Sequence, residues 1–92
     1  MSFFSLVKQE NISVIDVREI GEQPAITEFE HIQFPLSIIN QTKDFNLPTN
    51  DIIFVCQSGI RSKKAAILLS DKLSNKQRIY SLKGGINAMH EQ

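Results

Sequence analysis

One cysteine opens a run whose composition suits the handling of an anion: Cys56-Gln57-Ser58-Gly59-Ile60-Arg61-Ser62. Gly59 has no Cβ, so the backbone there can turn with positive φ and aim successive N–H groups inward. A nest of amides at a helix N-terminus holds negative charge without any side chain. Arg61 adds a permanent charge and a planar fork of donors. A free cysteine titrates near ~8.5, and surroundings of this kind lower that by several units, so Cys56 is expected as a nucleophilic thiolate. A cysteine alone at a strand end reads as a small buried hydrophobe. The glycine, the arginine and the strand–loop–helix setting together favour chemistry.

The elements that position this loop lie on either side of it. Ile52-Ile53-Phe54-Val55 is continuously apolar, as a central strand covered on both faces must be. A helix is expected from Ser62 to Ser74, with Ala65, Ala66, Leu69 and Leu73 on one stripe. Arg61, Lys63 and Lys64 sit at its start, where each positive charge opposes the macrodipole by about 0.3–1 kcal/mol. An electropositive pocket around a thiolate accounts for that choice, although Lys63 and Lys64 taken singly read as solvated. Ile12 to Val17 reads as a strand, residues 19–28 as loop with at most one helical turn, and Phe29 to Phe34 as a short strand ended by Pro35. Leu36 to Gln41 forms a helical turn, and the segment 46–51 carries turn residues. Arg78 to Leu82 is the last strand, followed by a tight turn at Gly84-Gly85 and a helical turn from Ile86 to His90. The N-terminal MSFFSLVKQEN reads as a short helix with Phe3 or Phe4, Leu6 and Val7 on its apolar side. Strands alternating with helices give an α/β domain with a mainly parallel sheet and right-handed crossovers. Ligands of such sheets sit beyond the carboxyl ends of the strands, which is where the Cys56 loop falls.

The chain of 92 residues has room for one domain, residues 1–92. Ten basic and ten acidic residues cancel, so no long-range field draws in nucleic acid or anionic lipid. No apolar run approaches the ~18 residues of a membrane-spanning helix, and the N-terminus lacks the pattern of a secretory signal. A lone cysteine forms no internal disulfide and fits a reducing, cytoplasmic setting. With two distant histidines it makes no metal site, and no cofactor is implied.

The motifs resemble the rhodanese family. Asp16-Val17-Arg18-Glu19 follows the first strand, Cys56 to Ser62 forms the active loop, and Ser81-Leu82-Lys83-Gly84-Gly85-Ile86-Asn87-Ala88 closes the chain. The resemblance implies a small sheet flanked by helices on both faces. It also implies sulfurtransferase activity, with Cys56 as the catalytic nucleophile carrying sulfur as a persulfide. Loop amides at Gln57, Ser58, Gly59, Ile60 and Arg61 would bind the sulfur or the anionic group of its donor. Asp16 and Arg18 match positions that are structural in the family, as an ion pair. The wording of the motifs is similar to rhodanese domains attached to adenylyltransferases of molybdopterin and thiamine biosynthesis. That likeness implies a ubiquitin-like sulfur carrier as a candidate acceptor; the donor is expected to be thiosulfate in vitro or a cysteine desulfurase persulfide in the cell. Two departures stand out. The usual Gly-His-Ile-Pro-Gly-Ala segment is replaced around Glu30 to Leu36, which bears on the entrance to the site, and Met89 replaces a common aromatic. His31 reads as a solvated loop residue, because an existing thiolate needs no histidine base.

Two rivals remain. A cysteine phosphatase also needs a thiolate, an amide cradle and an arginine, but spaces cysteine and arginine by five residues. Here four intervene, and Val55 stands where many such enzymes place a histidine. The other rival is a non-catalytic interaction module on the same fold, which retention of Cys56 disfavours.

Overall fold

The computed structural model describes residues 11–27, 29–41, 47–73 and 76–90. The expected N-terminal helix lies outside them, as do the side chains of Met89 and His90. Four strands, β1 (Ile12–Asp16), β2 (Ile32–Gln33), β3 (Asp51–Val55) and β4 (Ile79–Ser81), form one sheet in the order β2-β1-β3-β4. Every pairing is parallel, with Val14 opposite Ile53 and Phe54 opposite Ser81. The helices are α1 (Leu36–Gln41), α2 (Ile60–Leu69) and α3 (Gly85–His90).

The apolar run of β3 is buried on both sides, because side chains alternate across a strand. Ile52 and Phe54 enter one core with Ile15, Val17, Leu36 and Ile39, and with Ala65 and Leu69 of α2. Ile53 and Val55 enter the other with Val14, Ile26 and Ile86. Helices α1 and α2 thus cover one face and α3 the other.

Most boundaries fall within one residue of expectation, and the larger departures are in α2 and β2. Helix α2 starts at Ile60, two residues early, because Gly59 takes the left-handed conformation just before it. It gives way at Ser70–Lys72 to a 3-10 turn, where the Ser70 hydroxyl donates back to the Ile67 carbonyl at 2.9 Å. Leu73, expected on the helical stripe, is extended and still packs on the core. Strand β2 is only two exposed residues at the sheet edge. Past it the chain stays attached to the end of β1, with Phe34 N–H donating to Asp16 O and Leu36 N–H to Val17 O.

Asp16 and Arg18 form a buried pair immediately after β1, with side chains 3% exposed. The Arg18 Nε and Nη2 groups donate to the carboxylate at 3.1–3.2 Å. The remaining nitrogen, Nη1, reaches Pro24 O at 2.9 Å and Gln57 Oε1 at 3.1 Å, so the pair fastens β1 to the Cys56 loop. Removing one partner strands a buried charge. Asp16→Ala is therefore expected to cost about 3–5 kcal/mol of unfolding free energy. Urea denaturation of the two proteins measures this, and a loss below ~1 kcal/mol would show that Arg18 finds another partner.

Candidate active site

Strand β3 delivers Cys56 to the carboxyl edge of the sheet, and α3 fixes the peptide units that follow. Ile86 N–H donates to Cys56 O at 2.9 Å and Asn87 N–H to Gln57 O at 3.1 Å. In a planar trans peptide the N–H points opposite to the C=O, so the Gln57 and Ser58 amides face away from α3 into the loop. This contact requires glycine at position 85. Its φ is +62°, and a Cβ there would collide with the Cys56 and Gln57 carbonyls. Gly59 meets the same turn from the other side: φ is +99°, and a Cβ would lie 3.0 Å from Gly84 N.

The sulfur of Cys56 lies inside the loop thus formed. It accepts the Gly59 N–H at 3.0 Å and the Ser62 N–H at 3.2 Å, with the Ser62 hydroxyl at 3.5 Å. Ser62 is the third residue of α2, so its N–H has no acceptor within the helix. No side chain caps α2, and the sulfur takes the position of the missing cap. Burial pushes the Cys56 thiol up, but the Ser62 hydroxyl and the amides of Ser62, Gly59 and Ser58 outweigh it and hold the thiol below its ordinary value.

Arg61 is placed otherwise than the loop motif suggests. Its fork is closed on Glu22, with Nη1 at 2.6 Å and Nη2 at 2.7 Å from the two carboxylate oxygens. The Arg61 hydrogen bond draws the Glu22 carboxyl down from 4.5 to about 2 against the effect of burial, helped by the Glu19 amide. The hydrogen bonds on the thiolate therefore come from amides and Ser62, while Arg61 contributes at longer range. Gln57 is held between Arg18 and Asn87, donating to Asn87 Oδ1 at 2.6 Å. Ile60 points into solvent. Ser58 and Gly59 line an open cleft of about 340 Å³ with Lys63, Ser81, Lys83 and Gly84. Lys63 and Lys83 are exposed and pair with no described acid.

His31 is exposed, with Nδ1 3.4 Å from Phe29 O. The substituted segment does not line the loop's cleft: Glu30, His31 and Ile32 border a separate one with Ile12, Ser13 and Val14. No group of three or more His, Cys, Asp or Glu converges among the described residues. Sequence reasoning missed Ser62 as a sulfur ligand, Ser81 behind it and Glu22 as the arginine's partner. Ser62 was legible in principle, as the N3 residue of a helix lacking a capping side chain. Ser81 and Glu22 reach the site only through the fold.

The parallel sheet, with a cysteine after its strand β3 capping the next helix, defines a domain built around one thiol held below its ordinary value by hydrogen bonds. The profile of the Rhodanese-like domain matches residues 4–92, and the chain belongs to that family. A rhodanese homologue of Thermus thermophilus is 26% identical, with a TM-score of 0.69 over 91% of this chain and 90% of that one. A rhodanese-related protein of Thermoplasma volcanium is also 26% identical, with a TM-score of 0.69 over 88% of this chain and 78% of that one. The NAD-dependent persulfide reductase of A. fulgidus is 26% identical over 86% of this chain, which matches 14% of the reductase, with a TM-score of 0.62. No curated protein matches. No helix among the described residues is long and apolar enough to cross a membrane.

Two titrations follow from this geometry. The rate of Cys56 alkylation against pH should show an apparent pKa below the ~8.5 of a free thiol, and Ser62→Ala should raise it. A depressed folded-state value means the thiolate stabilises the fold above the unfolded value and loses that as pH falls through the folded one. The Glu22 carboxyl should titrate by NMR near about 2 and return towards 4.5 in Arg61→Ala. The contribution of the pair is present above 4.5 and lost as pH falls through about 2. A Glu22 titration that ignores Arg61→Ala would dissolve the pair.

Proposed function

We propose that this domain is a cytoplasmic sulfurtransferase that carries sulfane sulfur on Cys56. The observation that supports it is the pair of amides from Gly59 and Ser62 already donating to the cysteine sulfur. With thiosulfate, the Cys56 thiolate attacks the outer sulfur, a new S–S bond forms, and the old one breaks with its electron pair on the departing sulfite. The product is a Cys56 persulfide anion, and charge is conserved. Its terminal sulfur is small and can accept the loop amide of Gln57, beside the Ser58 amide that already acts on Cys56 Sγ. A thiophilic acceptor such as cyanide then attacks that terminal sulfur, the S–S bond breaks with its electron pair on Cys56, and the thiolate is restored.

The likeness to a region of a persulfide reductase supports persulfide chemistry. The resemblance of the motifs makes a cysteine desulfurase persulfide the donor in the cell and the C-terminus of a ubiquitin-like carrier the acceptor. Arg61 argues against a phosphatase, because an arginine closed on a carboxylate is not poised to clamp a phosphoryl group. A non-catalytic module remains as the second reading, on the observation that Cys56 has no accessible surface. Loading requires the side chains over the loop to part, so an apparent pKa and not an absolute rate identifies the thiolate.

Incubation with thiosulfate or a protein persulfide should add one sulfur atom to the protein. Mass spectrometry should place it on Cys56, cyanide should remove it, and Cys56→Ser should abolish it. Should the wild-type protein gain no sulfur from either donor, the interaction module becomes the better account.

A further inference from the structure

Cys56 is fully buried, and one connected set of hydroxyls leads from its sulfur towards water. The Ser62 Oγ lies 3.5 Å from Cys56 Sγ and 2.7 Å from Ser81 Oγ. Ser62 is itself fully buried, whereas Ser81, the last residue of edge strand β4, lines the cleft shared with Lys63 and Lys83. Resting on the sulfur-carrying role of Cys56, we propose that Ser81 is a positioning residue which sets the protonation of that sulfur through the Ser62 hydroxyl and links it to the cleft.

Counting hydrogens shows why a second hydroxyl is needed. Ser62 has one hydrogen and three neighbours able to accept it: Gly59 O at 3.1 Å, Ser81 Oγ and Cys56 Sγ. When Cys56 is a thiol, its S–H can donate to Ser62 while Ser62 donates to the Gly59 carbonyl. When Cys56 is a thiolate, the Ser62 hydrogen must turn to the sulfur, at the longer distance and in competition with that carbonyl. A hydrogen bond received from Ser81 makes the Ser62 hydroxyl a stronger donor, because linked hydroxyls polarise one another. The same link gives the thiol proton an exit: it passes to Ser62, the Ser62 hydrogen to Ser81, and the Ser81 hydrogen to water in the cleft. The proton returns by the reverse path, and no other reactant is consumed.

Several charged groups surround the sulfur. Arg61 and Lys63 stand on α2, Lys83 in the turn after β4, and Asp16, Arg18, Glu19 and Glu22 in the segment at and beyond the end of β1. Replacing Ser81 alters none of these charges.

The experiment compares wild type, Ser81→Ala and Ser81→Thr for Cys56 alkylation across pH, with urea midpoints as a folding control. Ser81→Ala should raise the apparent pKa and slow alkylation about three- to tenfold below it, the range one hydrogen bond commands. Ser81→Thr, which keeps the hydroxyl, should restore the wild-type profile. A Ser81→Ala protein with wild-type pH dependence overturns the inference. If that same variant still takes up sulfur from thiosulfate, the sulfurtransferase reading stands without it. A wild-type protein that takes up no sulfur instead removes the function and leaves the titration to be read alone. A second measurement needs no variant: the 13Cβ shifts of Ser62 and Ser81 in the wild-type protein should follow the Cys56 titration. Ser70, whose hydroxyl bonds the Ile67 carbonyl and no other group among the described residues, should not follow it. A Ser81 signal as flat as that of Ser70 also overturns the inference.

Discussion

A helix N-terminus presents N–H groups that need an acceptor, and in α2 that acceptor is the sulfur of Cys56. The requirement runs both ways. The helix needs something electron-rich in the place of a cap, and a thiolate needs donors to persist in a buried position. Both needs are met by placing the cysteine at the end of β3 and turning the chain through Gly59 straight into the helix. An acid is favoured in the first turn of a helix, yet α2 carries Arg61, Lys63 and Lys64 and no acid. The Cys56 sulfur stands in the place of that acid, and Arg61 acts on it at longer range.

That arrangement is stable only if the loop cannot relax, and two separate fastenings prevent it. From below, the first amides of α3 hold the Cys56 and Gln57 carbonyls, with Gly85 allowing contact that any side chain would forbid. From the side, the buried Asp16–Arg18 pair reaches the Gln57 side chain. An amide cradle pre-formed in this way does not reorganise when charge appears on sulfur, which is the condition for electrostatic stabilisation to be effective.

The cations divide into two kinds. Arg61 is committed to Glu22, while Lys63 and Lys83, on the cleft beside Ser58 and Gly59, pair with no acid among the described residues. An arginine fork matches a carboxylate in two parallel bonds, so an acid within reach captures it readily. Ammonium groups on flexible stems stay hydrated and available. A chain with no net charge therefore still offers a local positive surface next to its buried cysteine.

The sequence by itself determined the cysteine-bearing loop and the order of strands and helices. Those are local properties: an apolar run buried on both faces, a glycine that permits positive φ, a cysteine between them and a helical stripe after them. Ile52 to Val55, Gly59 and Ala65 to Leu69 could be read for that reason. It also gave helix α2 a start two residues late, since the sulfur that caps Ser62 carries no local signature of a cap. Which side chains face the sulfur was decided only by the tertiary structure. Glu22 meets Arg61 across 39 positions, Ser62 meets Ser81 across 19, and Gln57 meets Asn87 across 30. Parallel strands join through long crossovers, so residues far apart in the chain share one edge of the sheet, and no spacing in the sequence announces which of them will touch.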